Sequence, residues 1–288
     1  MHHEDITDPV FREAVDAIDT GNLARLTTLI AAHPRLLHER LLTAGEGYFK
    51  DPYLLYFVAD NPIRIDRLAP NIVEITGFLI DQLKRHTVDG LQYQLDYTLG
   101  LVATGRIPRE CGVQIDLIDL LIDAGAKPGG GLGALAHGNI AAAEHLIARG
   151  GPLTLATAVG LKRMADVQRL AVQASRDEKL IALTVAAFYG NPGMVSLLLD
   201  MGVDPSDYPL DGTGFHSHAT PLHQAIYSGS LDCVKLLVAA GARLDLPDKI
   251  YHGTPLGWAK YMQTEEGYGE EEKQRFAAIE QYLQDLPS

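Results

Sequence analysis

Apolar residues at helical spacing recur in short runs along the chain. In the last segment, Phe276, Ile279, Leu283 and Leu286 are separated by three, four and three residues, which places them on one face of a helix. A helix this short cannot bury its apolar face alone, so the pattern predicts short helices that stack on their neighbours. Similar runs lie at Leu23/Leu26/Leu29/Ile30, Ile72/Ile75/Phe78/Leu79 and Leu117/Leu120/Leu121.

One of these segments is repeated in recognisable form. Residues 220–242 read TPLHQAIYSGSLDCVKLLVAAGA, with partial copies at 151–160, 181–190 and 254–262. This segment resembles an ankyrin repeat, whose pattern is TPLHxAAxxGHxxxVxxLLxxGA with a period of about 33 residues. Aligned on the Thr of TPLH, the copies begin at positions 12, 52, 96, 129, 151, 181, 220 and 254.

The resemblance implies an all-α fold, an α-solenoid of about eight ankyrin-like helix-turn-helix repeats with hairpin fingers. We expect a single ankyrin repeat domain over residues 1–288, with degenerate repeats at 8–128 and better-matching repeats at 129–269. A C-terminal capping helix is predicted at 270–286, and residues 5–20 are expected to close the other end with Phe11, Val15 and Ile18 facing inward. A stand-alone array this degenerate resembles bacterial examples more than metazoan ones.

Charge and cysteine content narrow the classes of partner. The 24 Lys and Arg against 37 Asp and Glu give a net charge of −13, which disfavours nucleic acid and anionic membranes. Cys111 and Cys233 do not form a CxxC pair, which excludes a disulfide scaffold or a zinc ribbon. With no signal peptide or membrane span in the sequence, we expect a soluble, cytoplasmic protein that binds neither nucleic acid nor membrane.

Motifs for catalysis are not found in the sequence. It contains no GxSxG, HExxH or Cys-His pattern, and the triplet Gly129–Gly131 is not followed by GK[ST], so we interpret it as a tight turn. Cys233 occupies a slot that the family fills with Val or Ile, so we expect it to be buried and inert, whereas Cys111 in its linker is expected to be exposed. We therefore predict a protein that is not an enzyme and has no cofactor.

Large aromatic residues gather at the ends of the first helices of the C-terminal repeats, where the family resemblance implies a concave groove. Aromatic clusters in a groove are typical anchors for a protein partner. With an acidic rim at Asp204, Asp207, Asp211, Asp245 and Asp248, the partner is expected to carry a basic, partly apolar segment. Packing of the rings on one another to stiffen the fingers remains the alternative. The predicted partner-binding residues are Phe188, Tyr189, Tyr208, Asp211, Phe215, His216, Tyr227, Tyr251 and Tyr261.

The long finger between Gly202 and Thr220 allows a second hypothesis. Asp211-Gly212 and Thr213-Gly214 are turn signals that predict a protruding hairpin, unless the segment is a simple surface insertion. A small-ligand or metal-binding site, even an enzymatic one, could then lie in the Tyr/His-rich finger 206–218. His216 and His218 would project from one side of a strand and bind zinc together with His252 or Asp211. For His223, the His of TPLH, the resemblance implies a structural hydrogen bond.

A second irregular region lies near the N-terminus. Tyr48, Phe49, Tyr53, Tyr56 and Phe57 cluster just before the insertion NPIRIDRLAPN at residues 61–71. We interpret these aromatics as filling the core of an irregular repeat.

Overall fold

The computed structural model describes residues 5–43, 46–86 and 89–286. The chain divides into two compact units, Met1–Pro152 and Leu153–Ser288. All regular secondary structure in the described residues is helical, as predicted for an all-α fold of helix-turn-helix repeats. None of the helices in this part of the chain is long and apolar enough to span a membrane.

The first unit combines short α-helices with two 3-10 helices. Helix α1 packs on α2, α4 packs on α6 and α7, and α8 packs on α6 and α7. As predicted, Phe11, Val15 and Ile18 of α1 are buried. The helices are α1 (Pro9–Asp19), α2 (Leu23–Ala32), α3 (Ile72–Arg85), α4 (Leu91–Thr104), α5 (Arg106–Glu110), α6 (Gln114–Asp123), α7 (Leu132–Ala136) and α8 (Ile140–Ala148), and the 3-10 helices are Pro34–Leu37 and Leu54–Ala59.

The aromatic run before the insertion fills the core of this unit in part. Tyr56 and Phe57 are buried in the 3-10 helix Leu54–Ala59, and Phe49 packs edge-on against Phe57 at 5.3 Å between ring centroids. Tyr48, in contrast, is exposed. The irregular repeat therefore replaces a regular first helix with a 3-10 turn whose every residue is buried.

The insertion that follows is held by a buried carboxylate. Asp60 accepts hydrogen bonds from the backbone N–H groups of Arg64 at 2.9 Å and Asp66 at 3.0 Å. The Arg64 guanidinium in turn pairs with Asp19 of α1 and lies 3.6 Å from Asp60. All three charged side chains are nearly inaccessible to solvent. Each of them therefore depends on the opposite charge or the hydrogen bonds of its partners in order to stay ionised.

The second unit has the more regular arrangement. The first helices of successive repeats pack side by side, α9 on α11, α11 on α13 and α13 on α15, while α12 packs on α14 and α14 on α16. This is the stacking that helical hairpins need in order to bury their apolar faces. The helices are α9 (Leu155–Gly160), α10 (Met164–Ala171), α11 (Arg176–Phe188), α12 (Pro192–Asp200), α13 (Pro221–Tyr227), α14 (Leu231–Ala239), α15 (Pro255–Met262) and α16 (Glu270–Gln284).

Short polar residues and proline start these helices. Ser175 and Glu178 form a capping box at α11, and the Asn191 side chain accepts from the N–H of Met194 at α12. At α15 the Thr254 side chain accepts from the N–H of Gly257, and Pro255 lies in the first turn. At the far end, α16 buries Phe276, Ile279 and Leu283 against its neighbours, while Leu286 lies beyond the helix and is half-buried.

The long finger differs from the predicted hairpin. Residues 203–219 form turns, and no strand occurs between Asp89 and Leu286. Phe215 and His216 have positive φ angles of 52° and 49°, a conformation that reverses the chain and is incompatible with a strand. The finger is therefore a folded-back loop, and the expected projection of His216 and His218 from one side of a strand is wrong.

Candidate partner-binding site

Aromatic side chains form a continuous cluster from α11 to α15. Phe188 stacks on Tyr227 at a centroid distance of 5.3 Å, and Phe215 meets Phe188 edge-on at 5.0 Å. His216 continues the cluster, with its ring 4.6 Å from Tyr227 and 5.9 Å from Trp258. The folded-back finger thus inserts its rings between successive first helices.

A pocket opens where this cluster reaches the surface. Its volume is about 530 Å³, within the range of roughly 300–1,000 Å³ that is usual for ligand sites. We call it the aromatic pocket. It is lined by His216, His218, Tyr227, Tyr251, Gly253, Gly257, Trp258, Tyr261 and Met262.

Asp248 organises one wall of the aromatic pocket. Its carboxylate is buried and accepts hydrogen bonds from the N–H groups of Ile250, Tyr251 and Gly253 at 2.6–2.9 Å and from the indole Nε1 of Trp258 at 3.0 Å. Burial by itself would raise the pKa of Asp248, but the hydrogen bonds from Trp258 and from the backbone outweigh it and lower the pKa to about 2. Asp248 is therefore an anion at neutral pH. It is held between the loop of residues 249–253 and Trp258 of α15.

Gly253 is required where this loop approaches α15. A Cβ atom added at Gly253 would lie 2.9 Å from Cδ1 of Trp258 and 3.1 Å from Oδ2 of Asp248. Any side chain at this position would push the indole away from the carboxylate. The loop can therefore pack this closely against Trp258 only because position 253 is a glycine.

The histidines of the site have different roles. His223 accepts at Nδ1 from the N–H of Thr220 at 3.3 Å, and its Nε2 lies 3.1 Å from the carbonyl oxygen of Gly253. Nε2 therefore carries the proton, and the structural hydrogen bond implied by the family resemblance is confirmed. Burial lowers the pKa of His223 to about 4, and burial also lowers the pKa of His216, which contacts Gln224 at 3.3 Å.

His218 lies between the buried carboxylate and the pocket. Its Nε2 atom is buried without a hydrogen-bond partner and lies 4.0 Å from Oδ1 of Asp248. The ring of His218 is 5.8 Å from that of Tyr251 and 6.1 Å from that of Trp258. His218 thus contacts both Tyr251 of the exposed loop and Trp258 in the wall of the pocket.

The remaining predicted residues are distributed around this centre. Phe215 is only 3% exposed and packs inside the finger, and Tyr189 is half-buried beside it, where burial raises its pKa to about 12. Tyr208 donates to the carbonyl oxygen of Pro247, Asp211 lies 3.7 Å from Lys249, and neither of these two residues lines the pocket. The structure thus brings His216, Tyr227, Tyr251 and Tyr261 together in one pocket, with Phe188 behind them.

The histidines proposed as metal ligands are arranged differently from that proposal. His216 and His218 have ring centroids 5.8 Å apart, and His252 is exposed at a position with a φ of 55°. In the described part of the chain, no three His, Cys, Asp or Glu side chains are grouped as metal ligands would be.

Three residues of the site were not recognised from the sequence. Trp258 and Met262 are not among the predicted residues, and Asp248, predicted on an acidic rim, is buried. The single tryptophan four residues after a Thr-Pro helix start was the available signal for the first. The burial of Asp248 had none, because it depends on how the following loop closes.

The architecture defines a repeat protein of stacked helix-turn-helix units, and part of the sequence is similar to a known family of such units. Residues 132–248 match the family model described as ankyrin repeats, in three copies. This match confirms, over these residues, the resemblance to ankyrin repeats seen in the sequence. Ankyrin repeats are in general protein–protein interaction modules and are typically non-enzymatic.

Similarity to individual proteins is more distant. Protein PhlB of Serratia liquefaciens is 31% identical over 130 residues, which cover 45% of this chain and 51% of that protein, so the chain spans about half the length of this curated relative. Among solved structures, the human ASB11 ankyrin repeat domain covers 98% of this chain and all of its own, with 16% identity and a TM-score of 0.32. The ankyrin repeat domain of Bcl-3 covers 71% of this chain and 92% of its own, with 20% identity and a TM-score of 0.30.

Proposed function

We propose that this chain is a non-catalytic interaction module that binds a protein partner at the aromatic pocket and the adjacent fingers of the C-terminal repeats. The observation that supports the proposal is the exposure of large apolar side chains around the pocket. Tyr251 is 77% exposed, and Tyr261 and Ile250 are each 59% exposed. Aromatic side chains that border a preformed pocket are the residue type most often found as anchors of binding energy.

The chemistry of the partner follows from charge. With a net charge of −13 the chain attracts cationic segments and repels nucleic acid and anionic membranes. A partner segment that combines basic and apolar residues would complement both the charge and the exposed rings. The two cysteines are unpaired, Cys111 exposed and Cys233 buried, which favours the reducing environment of the cytoplasm.

A small molecule is the second candidate for an occupant, because the pocket volume of about 530 Å³ would admit one. The exposed rings outside the pocket favour a protein, since a small ligand would leave Ile250 and much of Tyr251 uncovered.

The proposal can be tested by capture followed by direct binding. Wild-type protein, a Tyr251→Ser/Tyr261→Ser variant and a Met164→Ser/Val172→Ser control would be immobilised and exposed to native lysate. The control removes exposed apolar side chains from α10 and its C-terminus in the same unit. Circular dichroism and thermal unfolding would establish that all three are folded.

Each protein retained by the wild type would then be purified and measured by isothermal titration calorimetry. We expect the tyrosine variant to bind at least about tenfold more weakly than the wild type, because loss of an anchor residue typically costs about 2 kcal/mol or more. The control should bind like the wild type. Equal affinities for the tyrosine variant and the wild type would place the binding surface elsewhere and contradict the proposal.

A further inference from the structure

The walls of the aromatic pocket are made of rings set at steep angles to one another. The interplanar angle is 77° between His218 and Tyr251, 48° between His218 and Trp258, and 74° between His216 and Trp258. These rings meet edge-to-face or tilted, and all four of them line the same pocket. An occupant of the pocket would contact several π systems at once.

The polar edge of the tryptophan is already used inside the protein. Trp258 Nε1 donates to the buried Asp248, so the positively polarised N–H of the indole is already paired. What Trp258 contributes to the lining is therefore ring carbon, whose face carries negative electrostatic potential. A cation within about 6 Å of such a face is attracted by the ring quadrupole, most strongly by tryptophan.

The charges around the pocket also favour a cation. Asp248 lies behind the wall as a buried carboxylate, and Glu265 accepts a hydrogen bond from the Tyr261 hydroxyl at the rim. None of the residues that line the pocket is a lysine or an arginine. The two lysines that precede Ile250 and Tyr261 in the sequence are directed to carboxylates, Lys249 at 3.7 Å from Asp211 and Lys260 at 3.9 Å from Glu280.

We infer that the aromatic pocket binds the alkylammonium group of a lysine side chain from the partner. A lysine supplies a compact cation on a flexible apolar stem, which matches a pocket of rings that also contains Met262. The apolar residues next to that lysine would lie on the exposed Ile250 and Tyr251. This inference deepens the proposed function and rests on it for the source of the lysine, while the cation preference of the pocket is independent of it.

The protein carries its own reporter for this site. Trp258 is the only tryptophan in the chain and lines the pocket, so its fluorescence responds to an occupant directly. The probes would be N-acetyl-lysine methylamide and N-acetyl-norleucine methylamide, which differ in the ammonium group and little else. We expect a saturable fluorescence change with the lysine amide at millimolar concentrations and binding at least about tenfold weaker with the norleucine amide.

Variants separate the ring face from simple apolar contact. Tyr251→Leu keeps apolar volume but removes the π system and should weaken binding of the lysine amide several-fold, whereas Tyr251→Phe restores the ring and should recover binding. Tyr251 is exposed, so neither change threatens the fold. Tyr93→Leu, an exposed tyrosine of the other unit, is the control and should bind like the wild type.

The possible results are distinct. Equal binding of the two amides, or no binding of either, would overturn the cation site. Equal loss in the leucine and phenylalanine variants would overturn the role of the ring. Binding of n-butylammonium without binding of a peptide in which lysine is flanked by leucines would overturn the partner lysine as the source. In each case the capture experiment still decides separately whether the chain binds a protein through this surface.

Discussion

Asp248 is a buried charged residue that holds the surface loop and Trp258 in place. It joins the backbone of the loop to the indole of Trp258 through four hydrogen bonds, and its anionic form is strongly favoured because donors surround it. A buried carboxylate of this kind is stable only when every lone pair it presents is used. At the scale of single residues, the candidate site is therefore held by polar contacts beneath a surface of rings.

His223 makes the stability of the fold depend on pH. Its pKa is about 4 in the folded chain and near 6.5 when unfolded, so between these values the unfolded chain binds more protons. The free energy of unfolding must then fall as the pH decreases from about 6.5 towards 4. Between pH 7.5 and 4.5 the contribution of His223 amounts to about 2.5 kcal/mol.

The His223→Gln variant measures this contribution. It should be less stable than the wild type at pH 7.5 because it loses a fitted hydrogen-bond pair. Between pH 7.5 and pH 4.5 the variant should lose less stability than the wild type, by about 2.5 kcal/mol. Urea unfolding at the two pH values measures this difference. His252→Gln, at an exposed position, should retain the wild-type pH dependence. Identical pH dependence in His223→Gln and the wild type would show that His223 is not the group responsible.

At the scale of elements, tight glycine contacts fix the turns. In the first unit, a Cβ atom at Gly151 would collide with the carbonyl oxygen of Gly129 and lie 2.9 Å from that of Leu146. Both neighbours are backbone atoms and cannot move aside as side chains can. The glycine triplet near position 130 is therefore part of a close backbone approach, in agreement with its interpretation as a tight turn and not a phosphate loop.

The pair Gly151→Ala and Gly129→Ala tests this contact. The first should lower the free energy of unfolding by about 1–3 kcal/mol, because the backbone must shift to admit the methyl group. The second should change it little, since a Cβ atom at Gly129 has no neighbour within 4 Å. Chemical denaturation of both variants beside the wild type gives the comparison. A Gly151→Ala protein as stable as Gly129→Ala would show that the turn relaxes freely.

The regular helices could be predicted from the sequence, whereas the irregular elements could not. The Thr-Pro starts at 220 and 254 and the pattern of residues 220–242 located α13, α14 and α15, the hydrogen bonds of His223 and the burial of Cys233. The 3-10 helix Leu54–Ala59 and the folded-back finger were not foreseen. Both depend on tertiary contacts, in which buried rings such as Phe57 and Phe215 override what the local sequence favours.

For the whole molecule, charge controls how partners approach. The net charge of −13 is spread over the whole chain, so it acts on an approaching partner before any ring is touched. Attraction of this kind raises association rates and is screened by salt, with a Debye length of about 10 Å at 0.1 M ionic strength. Contacts within the aromatic pocket are short-ranged and are screened much less.

Binding of a cationic peptide should therefore depend on salt mainly through its association rate. For a peptide of alternating lysine and leucine, stopped-flow fluorescence of Trp258 should show association slowing by about tenfold between 20 mM and 500 mM NaCl. The dissociation rate should change much less. A serine-for-lysine peptide of equal length should show little salt effect on association. A salt effect confined to dissociation would mean that charge acts after contact and not before it.

The loop after Asp248 keeps its shape without using its own exposed side chains. The N–H groups of Ile250, Tyr251 and Gly253 are tied to the carboxylate, while the side chains of Ile250 and Tyr251 point to solvent. Substitutions at 250 and 251 can therefore alter what the surface recognises while the backbone geometry is inherited unchanged. For protein engineering, these two positions form a small variable region on a constant frame, suited to a library selected for new specificities.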